Sequence, residues 1–392
     1  MTSIEWTDRT WNPTRGCSRV SEGCRNCYAE RQAARFSDPG QTFDGFVKRT
    51  DAGPRWTGKV ALVPKKLDEP LRWKQPSRVF VNSMSDLFHE LLSNVDIAIV
   101  FGVMLLAEQH TFQVLTKRPQ RMRSWFEWIQ GTPLYIGKDE ETATALDSGP
   151  AHACLTLLGA NTPAELVKGP LFTAVLAGGG KPAMDAPIRS RWPLPNVWLG
   201  VSVEDQATAD ERIPLLLDTP AAVRFVSAEP LLGPIDLTRL LVKDTGYNHP
   251  DLAETSFDAL RGSGTYPSRM TGIPIQCEGP ALDWVIVGGE SGPGARACEL
   301  SWIRSIINQC RDAGVACFVK QLGSRSCDIA RPVSVTDEER RRWMDNGWCC
   351  VLTNDGECFT KHPRLRDAKG GEPSEWAENL RIRQFPALEV TA

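Results

Sequence analysis

The segment RVFVNSMSDLFHELLSNVDIAIVFGVMLLAEQHTFQVLTKRP, Arg78–Pro119, contains two short apolar runs separated by a helical pattern. The first run, RVFV, ends in polar residues, and Ser93 and Asp96 then have the spacing of a capping box at the start of a helix. The helix IAIVFGVMLLAEQ is apolar on nearly every side, which predicts burial. The second run, TFQVLT, follows it. Strand, helix and strand in this order predict a parallel βαβ unit with a right-handed crossover.

The same alternation continues along much of the chain. Four further apolar runs predict strands: NVWLGVSVED (Asn196–Asp205), AVRFVSAEP (Ala222–Pro230), LDWVIVGGE (Leu282–Glu290) and VACFVKQ (Val315–Gln321). Because these runs are continuously apolar, they suit strands that are buried on both faces, as in a barrel. A further short strand is expected before Cys17. The predicted fold class is therefore α/β, with a partial or complete TIM-like (βα) barrel.

Two segments interrupt the alternation and one extends it. Residues from about 132 to 195 are rich in Gly, Ala and Pro, and residues from about 233 to 280 contain DTGYNHPD and RGSGTYPSR. Both are predicted insertions in a barrel domain that spans residues 1–330. Residues 331–392 are a predicted extension, in which Thr336 and Glu339 suit a second capping box and GWCCVLTNDGECFTKH suits a β-hairpin.

Composition narrows the class of protein. Of the 392 residues, 41% are hydrophobic and 24% are charged, as in folded proteins with a core. The net charge of −3 argues against a protein that coats nucleic acid by bulk attraction, but it is compatible with a local basic groove. The start of the chain lacks the apolar core of a secretory signal, and the longest apolar run is about half a membrane span. We therefore expect a cytoplasmic protein without membrane contact, whose twelve cysteines are reduced thiols, metal ligands or small buried hydrophobic residues instead of disulfides.

Three cysteines are crowded near the start of the chain, in GCSRVSEGCRNCYAER (Gly16–Arg31). Cys17, Cys24 and Cys27 lie within eleven residues, and the next cysteine is Cys154. Thiolates hold iron–sulfur clusters, and a cubane has four irons, so three protein ligands leave one iron open. A structural zinc ion normally needs four Cys or His ligands. The spacing therefore favours a [4Fe–4S] cluster over zinc or three unligated thiols.

This pattern resembles the radical S-adenosylmethionine (SAM) superfamily, in which a loop at the start of a run of βα units holds a cubane by three cysteines. Six stretches are similar to a phage-associated branch of this superfamily, long catalogued as phage proteins of unknown function. They are TWNPTRGCSRVSEGCRNCYAE, SMSDLFH, LTKRP, SAEPLLGPI, WVIVGGESG and LRIRQFP. The resemblance extends from Ile4 to Pro386. It implies a radical SAM-type barrel with a cubane on Cys17, Cys24 and Cys27. SAM would bind the open iron, and an electron from an external donor would release a 5′-deoxyadenosyl radical.

Two features depart from the commonest pattern of that superfamily. Six residues separate Cys17 from Cys24, where three are usual, and Asn26 precedes Cys27, where an aromatic residue is often found. Tyr28 follows Cys27 directly. It either packs against the adenine of SAM or belongs to the core.

Other predicted cofactor-binding residues follow the strands, because sites in such barrels collect at the carboxyl ends of the strands. Together with Tyr28, they are Asp86, Ser202, Glu229, Gly288, Gly289 and Glu290. The sequence Gly288–Glu290 resembles the superfamily motif that contacts the methionyl amine, although it follows a late strand here; a glycine-rich turn with a solvated glutamate is the alternative. Asp86 and Glu229 would bind ribose hydroxyls or a substrate amine, or would cap the next helix.

A basic cluster follows the second strand of the βαβ unit. Its cations are Lys117, Arg118, Arg121 and Arg123, and Trp125 and Phe126 come after them. Positive charge beside aromatic rings suits phosphate contact and base stacking, which predicts modified DNA as a partner. The alternative is a solvated helix surface.

The phage context, which only the resemblance implies, suggests a substrate. The chain is predicted to be an isomerase that rearranges a glycine-type adduct on modified thymidine in phage DNA, moving the attachment at the base 5-methyl carbon from nitrogen to carbon. Such hypermodification protects DNA against host restriction, and the enzyme would then act in the host cytoplasm. One alternative is a radical SAM enzyme of base repair or of tRNA or peptide modification. The other, from a different class, is a non-catalytic zinc-stabilised nucleic-acid-binding protein.

Overall fold

The chain forms a seven-stranded parallel sheet in a computed structural model that describes residues 4–131, 134–136, 144–146, 154, 192–242, 255–267, 274–330, 336–346, 349–353, 356–363 and 365–387. Its strands, β1 to β7 in chain order, are Arg9–Trp11, Arg78–Val81, Thr111–Thr116, Val197–Val203, Val223–Ala228, Trp284–Gly288 and Ala316–Gln321. Their order in the sheet is also their order in the chain. A doubly wound sheet reverses its strand order at a switch point, whereas a barrel adds each strand beside the previous one. The sheet is a curled half-barrel, so the predicted α/β partial barrel is confirmed at this level.

The described ranges contain seven α-helices and five short 3₁₀-helices. The α-helices, α1 to α7, are Tyr28–Ala33, Glu69–Arg72, Asn94–Leu106, Pro119–Gly131, Gln206–Leu217, Leu300–Ala313 and Asp337–Asp345; the 3₁₀-helices are Glu22–Cys24, Ala34–Phe36, Pro64–Lys66, Pro373–Glu375 and Glu378–Leu380. None of the helices in these ranges is both long enough and apolar enough to span a membrane.

The βαβ unit that the sequence predicts is present as β2, α3 and β3. β2 and β3 pair in parallel, with Val79 opposite Phe112. The Ser93 hydroxyl accepts a hydrogen bond from the Asp96 backbone N–H, and the Asp96 carboxylate accepts one from the Ser93 N–H, so the capping box is confirmed. The helix is buried from Ile97 to Met104, as its continuous apolar character predicts.

The described residues also form smaller sheets. One antiparallel sheet contains Leu240–Val242, Thr255–Asp258, Ser263–Pro267 and Pro274–Glu278; a second sheet contains Cys298–Glu299, Ser326–Ala330, Gly356–Lys361 and Cys349–Thr353; two-stranded pairs join Thr14–Arg15 to Ala61–Leu62, Val47–Thr50 to Gly53–Trp56, and Leu134–Ile136 to Thr144–Leu146. The described part of the predicted insertion 233–280 thus contains an antiparallel sheet. Most of the predicted insertion 132–195 lies outside the described residues.

The predicted C-terminal helix and hairpin are also present. Thr336 and Glu339 form the capping box of α7, and Cys349–Thr353 pairs antiparallel with Gly356–Lys361. By its internal contacts the chain divides into two compact units: unit 1 comprises Met1–Val201 and Pro214–Phe225, and unit 2 comprises Ser202–Ile213 and Val226–Ala392. The predicted boundary between residues 330 and 331 stays a prediction.

In unit 2, the motif LRIRQFP pairs with the edge strand of the large sheet. β7 is the last strand of the sheet, and an edge strand left unpaired invites association with other chains. Here the Val319 N–H donates to the Ile382 carbonyl, and the Gln384 N–H donates to the Cys317 carbonyl. The indole N–H of Trp284 also donates to the Gln384 carbonyl, at 2.9 Å. The motif therefore protects the edge of the sheet.

Candidate functional site

The three predicted cluster ligands lie on one loop of unit 1. Cys17 follows Gly16, which forms a parallel bridge with Ser85; Cys24 ends a 3₁₀-turn; and Cys27 precedes α1. All three thiols are free and partly buried. Cys17 and Cys27 pack against a small apolar cluster of Ala29, Ala33, Phe43, Phe46, Val47 and Trp56. The loop is therefore anchored to a core of its own.

Gly16 sets the direction of the chain into this loop. Its φ of +83° lies in the left-handed region, where a side chain is strained. A Cβ atom on Gly16 would also lie 1.9 Å from the carbonyl oxygen of Lys59. Only glycine fits both conditions, so this residue fixes the position of Cys17 relative to the strand Ala61–Leu62.

The thiols interact electrostatically with one another. Burial raises the pKa of the Cys17 thiol to about 12, with further increases from the Asp86 carboxylate and from Cys27 and Cys24, against a lowering by Arg118. Burial also raises the pKa of Cys27. In the metal-free chain, Cys17 and Cys27 are thus protonated at neutral pH. Ligation by a metal releases these protons.

Three thiols on one loop are donors of the kind that iron–sulfur clusters use. In the part of the chain that the structure describes, no three His, Cys, Asp or Glu side chains converge as ligands of one metal ion. Ligation of an iron–sulfur cluster by Cys17, Cys24 and Cys27 therefore stays a prediction.

A buried ion pair supports the loop from the carboxyl ends of β2 and β3. Asp86 and Arg118 are 6% and 5% exposed, and their Oδ2 and Nη1 atoms are 3.0 Å apart. The Asp86 carboxylate also accepts hydrogen bonds from the Thr116 hydroxyl and from the backbone N–H groups of Phe88 and Lys117. Four internal donors thus occupy the carboxylate for which cofactor binding was predicted, and its contact with the cofactor stays a prediction.

Arg118 extends this network to the cysteine loop. Its Nε donates to the Glu90 carboxylate at 2.9 Å, its Nη2 donates to the Ser18 carbonyl at 3.0 Å, and its Nη1 lies 3.8 Å from the Cys17 sulfur. Burial disfavours the charge, but Asp86, Cys17 and Glu90 outweigh it and raise the pKa of Arg118. The guanidinium is therefore a fixed positive charge beside the first cysteine.

His89 and Ser18 complete the network. The Leu91 N–H donates to Nδ1 of His89 at 3.2 Å, so Nε2 carries the proton and donates to the Ser18 hydroxyl at 2.9 Å. Burial and Arg118 lower the pKa of His89, which fits a neutral ring. Because the Ser18 oxygen also accepts from Arg118 at 2.8 Å, its own proton is directed to a third atom. Sequence reasoning missed His89, Glu90 and Ser18, although SMSDLFH and the residue after Cys17 pointed to this place.

Tyr28 lies beside the loop. Its hydroxyl donates to the Ser83 carbonyl, while the residue is 49% exposed. Of the two alternatives for this residue, the exposure does not suit core packing. Contact of the ring with the adenine of SAM stays a prediction.

The predicted nucleic-acid contacts follow β3, and the three arginines among them have internal partners. Arg118 is buried in the network above; Arg121 donates to the Asn94 side chain at 2.7 Å; and Arg123 pairs with Glu127 at 3.0 Å and Asp218 at 3.4 Å. Lys117 is half-buried at the end of β3. Their contact with DNA stays a prediction, and the three arginines are engaged within the protein.

The remaining predicted cofactor ligands belong to unit 2. Ser202 is 4% exposed and donates to the Glu229 carbonyl at 3.2 Å. The Glu229 carboxylate accepts both hydrogen bonds of Lys320, at 2.7 and 2.9 Å, and one from Gln321 at 3.1 Å. A polar group therefore forms at the carboxyl ends of β5 and β7, with its charge balanced internally.

The glycines of the GGE sequence have a packing role. A Cβ on Gly289 would lie 2.2 Å from the Leu322 carbonyl oxygen, and one on Gly288 would lie 3.1 Å from the Gln321 carbonyl oxygen. Glu290, 7% exposed, is held by the Arg296 guanidinium at 2.7 and 2.9 Å. This arrangement agrees with the alternative of a glycine-rich turn, except that the glutamate is buried and paired instead of solvated. Contact of these residues with SAM stays a prediction.

Comparison with known proteins gives one match. No curated protein and no solved structure matches the chain. A comparison with protein families matches residues 1–362 to the family described as "Protein of unknown function (DUF5131)". Because this match covers most of the 392 residues, the chain belongs to the DUF5131 family.

Proposed function

We propose that the chain is a radical SAM enzyme that modifies DNA. The observation that carries this proposal is the trio Cys17, Cys24 and Cys27, three free thiols on one anchored loop at the start of a half-barrel. A [4Fe–4S] cluster with SAM, when bound, supplies one-electron reductive chemistry and so access to unactivated carbon atoms. An external donor supplies the electron, and the reduced thiols fit a cytoplasmic setting.

The chain's own residues have three tasks in this proposal. The three thiolates hold the cluster and leave one iron for the cofactor. Arg118 holds a positive charge beside Cys17 and balances the negative charge that the thiolates bring into a partly buried site. Tyr28 offers an exposed ring beside the loop, on which an adenine or a substrate base can stack.

The substrate rests on the similarity of the sequence motifs to a phage-associated branch of the superfamily. Within that proposal the reaction is the rearrangement of a glycine-type adduct on modified thymidine in phage DNA. This isomerisation is part of a hypermodification that protects the DNA from host restriction. A duplex substrate presents its modified base by flipping it from the stack. Base repair, tRNA modification and peptide modification are the alternatives within the same chemistry.

The first experiment asks whether the loop binds a cluster. The chain is purified anaerobically, reconstituted with iron and sulfide, and examined by visible absorption, electron paramagnetic resonance and metal analysis. We expect roughly four irons per chain in the wild type and a loss of most of them in Cys24→Ala. Cys349→Ala is the matched control, because this thiol is exposed and lies in unit 2. A colourless protein with one zinc ion would instead support the zinc-stabilised nucleic-acid-binding alternative.

The second experiment tests the reaction. The reconstituted protein is incubated with SAM, reductant and phage DNA that carries the amino-acid adduct, and the nucleosides are analysed by mass spectrometry. An isomer of the starting nucleoside, together with 5′-deoxyadenosine, is the expected result. Formation of 5′-deoxyadenosine with unchanged nucleosides would contradict the substrate and leave the radical SAM class in place.

A further inference from the structure

Positive charge is concentrated on the part of unit 1 that contains the cysteines. Residues 15–66, here called the basic segment, contain eleven Lys or Arg and five Asp or Glu residues, a net charge of +6. The other 340 residues contain 34 cationic and 43 anionic side chains, a net charge of −9. The modest overall charge of −3 therefore hides a strong asymmetry, which directs a polyanion toward the cysteine loop.

Several of these cations have no carboxylate partner. Four do form ion pairs: Arg19 and Arg55 with Glu30, Arg49 with Asp38, and Lys66 with Glu69. Among the residues that the structure describes, no ion pair involves Arg15, Arg25, Arg31, Arg35, Lys48, Lys59 or Lys65. Lys48 stands directly opposite Arg55 in the antiparallel pair Val47–Thr50 and Gly53–Trp56. Like charges directly opposite each other in a strand pair repel, and Lys48 has no carboxylate partner in the described ranges to offset this, whereas Arg55 has Glu30.

Two of these cations lie over aromatic rings next to the cysteine loop. The Arg15 guanidinium is 5.7 Å from the centroid of Phe43, and the Lys59 ammonium is 4.9 Å from the centroid of Phe46. The backbone of Lys59 abuts Gly16, the residue between Arg15 and Cys17. The rings hold both cations in place without neutralising them, and both flank the start of the loop.

Exposed aromatic rings belong to the same segment. Phe36 is 54% exposed, and its carbonyl accepts a hydrogen bond from Phe43, the ring under Arg15. Tyr28, 49% exposed, follows Cys27. Unpaired cations interleaved with exposed aromatic rings are the combination that binds a phosphate backbone and stacks unpaired bases. An acidic protein would use the charges but has no need of the rings.

We propose that the basic segment binds the nucleic-acid substrate, with Arg15, Lys48 and Lys59 among its phosphate contacts and Phe36 and Tyr28 as stacking surfaces. This places the main nucleic-acid contact on the cysteine-bearing segment and not on α4, whose arginines are engaged within the protein. The inference takes the kind of ligand from the proposed function. It can be tested apart from that function, because binding needs neither the cluster nor SAM.

The test measures binding of a fluorescein-labelled DNA duplex of about 30 base pairs, and of one of its single strands, by fluorescence anisotropy at several salt concentrations. The variant is the triple substitution Arg35→Gln, Lys48→Gln and Lys59→Gln, which removes three exposed cations. The matched control, Arg311→Gln with Arg341→Gln and Arg366→Gln, removes three exposed charges from unit 2. Circular dichroism checks that both variants are folded.

We expect the basic-segment variant to weaken binding at least about tenfold. The slope of log K against log salt should fall by about 2.7, or about 0.9 for each phosphate that the variant no longer neutralises. In the control variant, the affinity and the salt slope should each change by only a small fraction of these amounts.

Several outcomes would overturn the inference. They are an equal weakening of binding in both variants, unchanged binding in the basic-segment variant, or a larger effect in Arg123→Gln. The inference would also be overturned if the wild-type chain did not bind DNA, or if polyglutamate displaced the labelled DNA as effectively as unlabelled DNA does. None of these results depends on whether iron is bound.

Discussion

Replacing Arg118 with methionine tests whether this residue belongs to the support of the cysteine loop. Methionine keeps an unbranched apolar stem but removes the guanidinium. The Asp86 carboxylate, 6% exposed, then loses its charged partner, and the Ser18 carbonyl loses its donor from Nη2. Three other donors to Asp86 stay in place: the Thr116 hydroxyl and the N–H groups of Phe88 and Lys117.

The size of the effect follows from these contacts. Removal of one partner from a buried ion pair costs roughly 3–5 kcal/mol, because the other charge stays buried without compensation. Since three neutral donors still solvate Asp86, we expect the lower end, about 3 kcal/mol of unfolding free energy. If Asp86 is also replaced by asparagine, the uncompensated charge disappears. The double variant should therefore be more stable than the sum of the two single effects predicts, by about 1.5 kcal/mol or more.

The assay is urea-induced unfolding of the reduced, metal-free chain, followed by tryptophan fluorescence, with the four members of the double-mutant cycle measured side by side. Arg123→Met is the control. It removes a side chain that is 38% exposed and pairs on the surface with Glu127 and Asp218, so its cost should stay below about 1 kcal/mol. A cost below about 1 kcal/mol for Arg118→Met, or strict additivity with Asp86→Asn, would refute the assignment of Arg118 to a buried structural pair.

Two further predictions concern pH and the loop. Burial lowers the pKa of His110 below its ordinary 6.5, and the hydrogen bond from Nε2 to the Pro70 carbonyl offsets only part of this lowering. Nδ1 is buried without a hydrogen-bond partner among the described residues. The unfolded chain therefore binds more protons than the folded chain, so the unfolding free energy should fall as the pH drops below about 6.5. In His110→Asn this fall should be less steep. If urea titrations at pH 7.5 and 5.5 gave the same loss of unfolding free energy in the wild type and the variant, the prediction would be contradicted. Gly16→Ala should destabilise the chain by more than the roughly 1–3 kcal/mol that a left-handed alanine costs alone, because its Cβ meets Lys59, and it should lower iron incorporation. Gly40→Ala is the control: at φ +80° and with nothing within 4 Å of the added Cβ, it should show only the backbone cost. Equal thermal shifts and equal iron content in the two variants would count against the clash.

The sequence predicted the strands of the half-barrel well, because their signals are local. An apolar run of six or seven residues between polar ends suits a buried strand whatever surrounds it, and Ser93 and Asp96 cap α3 through contacts only three residues apart. Consecutive strands of a parallel sheet often lie side by side, joined by right-handed crossovers. The observed order β1 to β7 follows that rule at every step, but the rule also allows the reversal of a doubly wound sheet, so only the structure settles the order.

The sequence was less informative about polar side chains, because their partners are distant in the chain. Arg118 lies in a run of cations that suits a solvated surface, yet its carboxylate partners Asp86 and Glu90 are 32 and 28 residues away. Glu290 was expected to contact an amine or water, and it pairs with Arg296. Nothing in the local pattern distinguishes a cation bound to a carboxylate from one left for a ligand.

The amino-acid sequence by itself determined the α/β alternation and the position of three thiols on one early loop, since each depends on neighbouring residues and on the hydrophobic effect. Only the tertiary structure decided which charges are available. Pairing of β2 with β3 brings Asp86 and Arg118 together and removes both from solvent, while the fold of residues 15–66 leaves Arg15 and Lys59 over aromatic rings without an acid beside them. The reason is that an ion pair is set by distances of a few ångströms in space, which sequence separation does not encode.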